Sequence, residues 1–263
     1  MVFLNSKNTI TNSMENYFSQ RASVRKFSDK DISEEKIKAI LEAASHAPTT
    51  GNMQLYSVII TRNKEKKAQL APAHFSQPAF MSAPVVLTFC ADYNRFVNWC
   101  EKNYADPGYD NIQSFIAAAL DTVILAQQFV TIAEMEGMGT CYLGTTTYNP
   151  EKIAQVLNLP KLVVPIVSLS IGYPAEAIQP TDRIEADGFI HSETYRNYSP
   201  EDIDKIYGYK ELLPENQKFI AENHKVSLAQ VFTDIRYPRS NNEFFSKSFI
   251  DFLKKQNFYK NTY

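Results

Sequence analysis

The heptapeptide Arg21-Ala22-Ser23-Val24-Arg25-Lys26-Phe27 gathers three cations and a hydroxyl in a chain whose formal net charge is −2. In an extended stretch, alternate residues share a side, so Arg21, Ser23 and Arg25 would present two forked donors and a hydroxyl together. That set suits an anion, above all a phosphate monoester. Taken alone, the same run is more often the mark of a solvated basic turn ahead of a helix.

Four other segments carry chemistry. Ala47-Pro48-Thr49-Thr50-Gly51-Asn52-Met53-Gln54 is rich in small and hydrogen-bonding residues, and lets backbone and amide groups meet a planar polar ligand or simply ends a helix. Gly137-Met138-Gly139-Thr140-Cys141-Tyr142-Leu143-Gly144 resembles a glycine-rich cradle. It lacks the GxGxxG order and follows a helix instead of a strand, which argues against a Rossmann site. Thr181-Asp182-Arg183 adds one guanidinium, and Arg236, Arg239 and Lys247 stand among aromatics near the end. The histidines His46, His74, His191 and His224 show no HExxH or closely spaced ligand set, so no metal site is expected. No GxSxG elbow or P-loop occurs, and Cys100 and Cys141 read as structural thiols.

The elements that must position these residues alternate between helix and strand. Ser33 reads as an N-cap stapled by Ile32 and Ile37, opening a helix with the stripe Ile37, Ile40, Leu41, Ala44 up to Pro48. Tyr56 to Thr61 and Val85 to Ala91 read as buried strands. Ile112 to Glu136 reads as a long helix, apolar on nearly every side and closed by Gly137, which must be covered all round by its own domain or a dimer seam. Asp121, Gln127, Gln128 and Glu134 argue against a membrane span. Asn149 is expected to cap a helix with Pro150 at its first position, and Val163 to Ile171 to form a strand.

Composition sets the limits. The chain has 263 residues, 44% of them hydrophobic, enough to bury a full core in one domain or one with an appendage. A pI near 6.1 offers no general field for nucleic acid or an anionic membrane. The cysteines Cys90, Cys100 and Cys141 are odd in number and unpaired by spacing, which points to a reducing compartment such as the cytoplasm. Residues 1–13 hold no signal-peptide run, and no stretch of about 18 uninterrupted apolar residues occurs, so a soluble protein is expected.

Taken in order, RASVRKF, APTTGNMQ, the helix ending in GMGTCYLG, SLSIGYP and TDR resemble the FMN-dependent nitroreductase family over Met14 to about Tyr198. The resemblance implies an α+β fold: a nitroreductase-like sandwich whose central, mostly antiparallel sheet is flanked by helices, assembled as an intertwined homodimer with FMN at the subunit interface. It implies an FMN-binding core over 14–198 and a carboxy-terminal extension over 199–263 that packs on the core or the partner subunit. Arg21, Ser23, Arg25 and Arg183 would meet the FMN phosphate and ribityl chain. Pro48, Thr49, Thr50 and Asn52 would approach the flavin from the partner, while Tyr142, Leu143 and Gly144 would lie along the isoalloxazine and Gln77 would serve as the flavin-amide residue. Thr181 stands where a second phosphate cation is common, which throws more weight on Arg21 and Arg25. The extension resembles that of the larger NADPH-preferring group, with Lys247 nearest to its nucleotide-phosphate arginine.

The implied activity is an FMN-dependent NAD(P)H oxidoreductase. Hydride would pass from NADPH or NADH through flavin N5 to nitroaromatic, quinone or flavin acceptors in ping-pong order, with no catalytic acid or base. Two alternatives stand beside it: a non-enzymatic flavin-binding or storage protein, suggested by Thr181, and a reductive dehalogenase-like flavoenzyme on the same fold.

Overall fold

The computed structural model describes residues 17–259; the expectations for residues 1–13, the start of the core at 14 and the chain from 260 on lie outside them. Two compact units emerge: one runs to Pro180 and resumes at Phe245, and the other is Thr181–Phe244. The last stretch thus belongs to the first unit. There, Phe252, Leu253 and Phe258 join Leu55, Tyr93 and Phe115 in one apolar cluster.

In the first unit the helices and strands follow in the order α1 (Glu34–Ala44), β1 (Tyr56–Thr61), α2 (Lys64–Leu70), α3 (Pro78–Met81), β2 (Val85–Asp92), α4 (Asn94–Lys102), α5 (Ile112–Met135), β3 (Gly139–Leu143), α6 (Pro150–Leu157) and β4 (Val163–Gly172). Among the described residues the strands form one sheet in the order β1-β2-β4-β3, antiparallel at every pairing. Helices α1 and α5 cover one face: Ile37, Ile40, Leu125, Phe129 and Val130 interlock with Leu87, Phe89, Leu169 and Ile171. On the other face α2, α3 and α6 bring Leu70, Phe80 and Ile153 against Val86, Cys141 and Leu143. Each such fully buried side chain contributes about 1.5–3 kcal/mol of transfer free energy, so the sandwich is a rigid platform for its edges.

The Ser33 cap forms as its sequence implies, its hydroxyl accepting from the Lys36 N–H at 3.1 Å while Ile32 and Ile37 are buried. Three expectations change. β1 is only half-buried along its middle, because it lies at the sheet edge with one neighbour. Asn149 holds the N-cap position of α6 with Pro150 after it, as expected, but its side chain makes no cap hydrogen bond: its amide donates instead to the Ala73 carbonyl at 2.9 Å. The segment read as a cradle contains strand β3, which forms the opposite edge of the sheet. Gly139 is required there by proximity, since a Cβ on it would lie 2.3 Å from Val24 Cγ2.

Helix α5 is long and apolar enough to cross a membrane by length and composition. One side of it lies in the core, but Ile116, Leu120, Val123 and Ile124 are exposed, Leu120 by 57%. These positions recur at helical spacing and form an uncovered apolar stripe.

The second unit has its own logic. Helix α7 (Pro200–Leu212) starts at a capping box formed by Ser199 and Asp202 and is followed by α8 (Pro214–Glu222) and the short α9 (Leu228–Gln230). Ile220, Leu228 and Val231 form its small core, and Arg236 lies 4.6 Å over the Phe219 ring. Helix α10 (Arg239–Lys255) begins in this unit and continues into the first from Phe245 on.

Candidate functional site

RASVRKF is extended, as its alternation requires. Ala22 and Val24 are buried while Arg21, Ser23 and Arg25 face outward, and the Val24 N–H donates to the Thr140 carbonyl at 2.9 Å, docking the segment on the free edge of β3. Phe27 then bridges to Pro174, and the Ser28 N–H donates to Tyr173. Arg21 is not a free cation. Its Nε and Nη2 donate to the two oxygens of Glu134, each at 3.2 Å, in a bidentate pair whose carboxylate side chain is only 9% exposed. Glu134 also accepts from the Tyr17 hydroxyl at 3.0 Å and from the Thr140 hydroxyl. Burial beside that carboxylate pushes the Tyr17 hydroxyl up to about 12. Ser23 and Arg25, by contrast, have no side-chain partner among the described residues. A cavity of about 350 Å³ opens beside this cluster, lined by Tyr17, Arg21, Val24, Glu134, Gly139 and Ile178 among others.

Gln77 and the Tyr142–Gly144 stretch belong to the same end. The hydroxyl of Ser82, just past α3, donates to the Arg25 carbonyl at 3.3 Å, tying the turn that carries Gln77 to the basic segment. His74 joins that turn to the segment after β3: its carbonyl accepts from the Gln77 N–H, and its Nδ1 lies 3.0 Å from Thr145 Oγ1. Burial holds the His74 imidazole down at about 4, so it is neutral. Along β3, Leu143 is buried in the second face and Tyr142 points to the α5 side, its hydroxyl donating to Gln127 at 3.3 Å and pushed up to about 12 by burial. Leu143 therefore offers a ligand only its backbone, and Gly144 is exposed with open space where a Cβ would sit. Cys141 is buried on the same strand: burial pushes its thiol up, while the fields of Arg25 and Arg21 pull it back.

The APTTGNMQ loop is held elsewhere. Asp121, only 2% exposed on α5, accepts from the Thr50 N–H at 2.8 Å, the Thr50 hydroxyl at 2.9 Å and the Leu55 N–H at 3.3 Å. Thr50 thus spends its hydroxyl inward, whereas Pro48 and Asn52 are exposed and Thr49 is half-exposed. The loop passes through left-handed backbone at Gly51, Asn52 and Gln54, with φ of 54°, 57° and 55°.

Two further expected residues lie outside these segments. Arg183 belongs to the second unit, where its Nη1 donates to the Thr181 hydroxyl at 2.6 Å and the Asp182 carbonyl at 2.8 Å. Lys247, on α10, is 78% exposed and ion-paired with Asp251, an arrangement worth little in water. Cys90, Cys100 and Cys141 are free and buried. Among the described residues no group of three or more His, Cys, Asp or Glu could hold a metal ion. Reading the sequence for function missed Glu134 and Asp121; their signal was two acids inside an otherwise apolar helix.

The model of the nitroreductase family matches residues 18–173, a span holding every segment of this site but neither Arg183 nor Lys247. A protein of Bacteroides fragilis NCTC 9343, whose solved structure is described provisionally as an oxidoreductase, is 50% identical with a TM-score of 0.92, over 93% of this chain and 100% of that one. The FMN reductase (NAD(P)H) of Bacillus subtilis strain 168 is 31% identical over 82% of this chain and 89% of the relative. An oxygen-insensitive NADPH nitroreductase of Salmonella typhimurium strain LT2 is 28% identical over 73% of this chain and 78% of its own length. With the match covering more than half of the chain and the same segments that build the site, this protein belongs to the nitroreductase family.

Proposed function

We propose that this chain is an FMN-dependent NAD(P)H oxidoreductase that works in ping-pong order on nitroaromatic, quinone or flavin acceptors, in the cytoplasm and as a homodimer. The carrying observation is the outward row of Ser23 and Arg25, unpartnered among the described residues, beside the clamped Arg21 on the edge of β3. A free guanidinium and a hydroxyl on one side of an extended segment fit a phosphate monoester, and the exposed backbone at Gly144 fits the approach of a flat ring. Names of relatives, FMN reductase and NADPH nitroreductase, support the same cofactor pair.

When bound, FMN supplies the hydride chemistry that couples NAD(P)H to an acceptor. Arg25 and Ser23 hold its phosphate, and Glu134 fixes Arg21 next to them. Gln77 and the backbone of Leu143 and Gly144 orient the ring, with Tyr142 bracing the strand from the α5 side. Pro48, Thr49 and Asn52, latched through Thr50, complete the site from a second copy. The resemblance also assigns Arg183 and Lys247 to the phosphates of FMN and NADPH, and both remain part of the proposal. The chain orients and excludes water; it supplies no acid or base.

Two observations favour the second copy. Asp121 and Glu134 lie 13 positions apart on α5, about 20 Å at 1.5 Å per residue, so one protomer holds its two flavin-facing segments at separate stations. The stripe of Ile116, Leu120, Val123 and Ile124 lies on that same helix and is open to cover by a copy of itself. Incubation of the purified protein with FMN, followed by desalting, tests the reading: a yellow protein with one flavin per subunit is expected, and a colourless one defeats it.

A further inference from the structure

We infer that Asp121 is a positioning residue of the proposed flavin site, one that sets FMN affinity by holding the loop 49–55 through the Thr50 N–H, the Thr50 hydroxyl and the Leu55 N–H. The inference rests on the FMN reading and adds to it a residue that touches no ligand.

A carboxylate this deep needs its charge answered, and among the described residues no cation pairs with it. The answer comes wholly from neutral donors of one loop, in charge-assisted hydrogen bonds. Both ends of the loop are therefore stitched to a single side chain, at Thr50 and at Leu55, and the intervening residues stand out from the surface. Left-handed backbone at Asn52 and Gln54 is uncommon for side-chain-bearing residues and persists only where its surroundings impose it. Two restraints do so: Asp121 from α5, and Arg95 from α4, whose guanidinium donates to the carbonyls of Gln54 and Tyr56. Pro48 and Asn52 are exposed and Thr49 is half-exposed, and between buried Ala47 and buried Leu55 the loop is tied down through Asp121 and Arg95. The presentation of these three residues to a flavin depends on the latch.

The test uses full-length protein carrying Asp121→Asn, Thr50→Val or Thr50→Ser, with oligomeric state checked for each. Asn keeps the size and one acceptor oxygen but loses the charge and the second acceptor. The expected result is a folded Asp121→Asn protein with faster amide exchange across 49–55, an altered circular dichroism of the bound flavin and an FMN Kd raised roughly tenfold, the scale of losing one hydrogen bond to a charged group. Thr50→Val gives a smaller loss in the same direction, and Thr50→Ser restores wild-type affinity. Wild-type FMN affinity in Asp121→Asn overturns the inference. Should that variant fail to fold, the Thr50 pair decides: Val binding FMN as tightly as Ser overturns it equally. Failure of the wild type to bind FMN defeats the functional reading instead, so the two failures are distinguishable.

Discussion

Two carboxylates on one helix anchor the two halves of the proposed site, and they do so by different physics. Glu134 is answered by a cation, the fork of Arg21, with Tyr17 and Thr140 filling its remaining lone pairs. Asp121 is answered only by neutral donors of a loop. The first arrangement is close to electroneutral and immobilises a guanidinium next to a free one. The second keeps a net buried charge and uses it to shape backbone. An ionic end suited to phosphate and a loop end suited to a ring follow from that contrast.

Separating the two ends gives the largest expected effect. Leu120→Glu places a charge in the exposed stripe of α5 and should yield a monomer that retains FMN roughly a hundredfold less well, the equivalent of about 3 kcal/mol. Sedimentation together with FMN titration checks it; a monomer that binds FMN normally would put both ends of the site in one chain. Next comes Arg25→Ala, which should cost about 1–3 kcal/mol of FMN binding while leaving riboflavin, which lacks the phosphate, nearly unaffected. Equal losses for both ligands would move Arg25 away from the phosphate.

The last effect falls on stability and not on the ligand, and concerns His74, which braces the ionic end. Its imidazole is held at about 4 in the fold, against about 6.5 when unfolded. Between those values only the unfolded chain takes up the proton. This contribution to stability is therefore complete above pH 6.5 and is lost as pH falls toward 4. Urea unfolding at pH 7 and pH 5 should differ by about 2 kcal/mol more in the wild type than in His74→Asn. Parallel pH profiles would contradict the buried neutral state.

Much of this arrangement was legible in residue order. The alternation of Arg21, Ser23 and Arg25 around buried Ala22 and Val24 is a local property, and so is the Ser33 cap of α1. What escaped was fixed by distant partners. Strand β3 looked like a glycine-rich turn because Gly139 answers to Val24, a residue from another segment. Asn149 carried a capping signal but spends its amide on Ala73. Nothing in the neighbourhoods of Thr50 and Arg21 reveals that Asp121 and Glu134 bind them. The return of the last stretch to the first unit was hidden because Phe252 and Phe258 pack with Phe115, a match that composition alone does not disclose.

Anaerobic mixing of the FMN-loaded protein with NADPH, and separately with NADH, tests the central claim most directly. The account predicts rapid loss of the visible flavin band on addition of reduced nicotinamide and its return when a quinone or nitroaromatic is added. A flavin band that persists in the presence of both nucleotides would contradict it and leave a protein that only stores flavin.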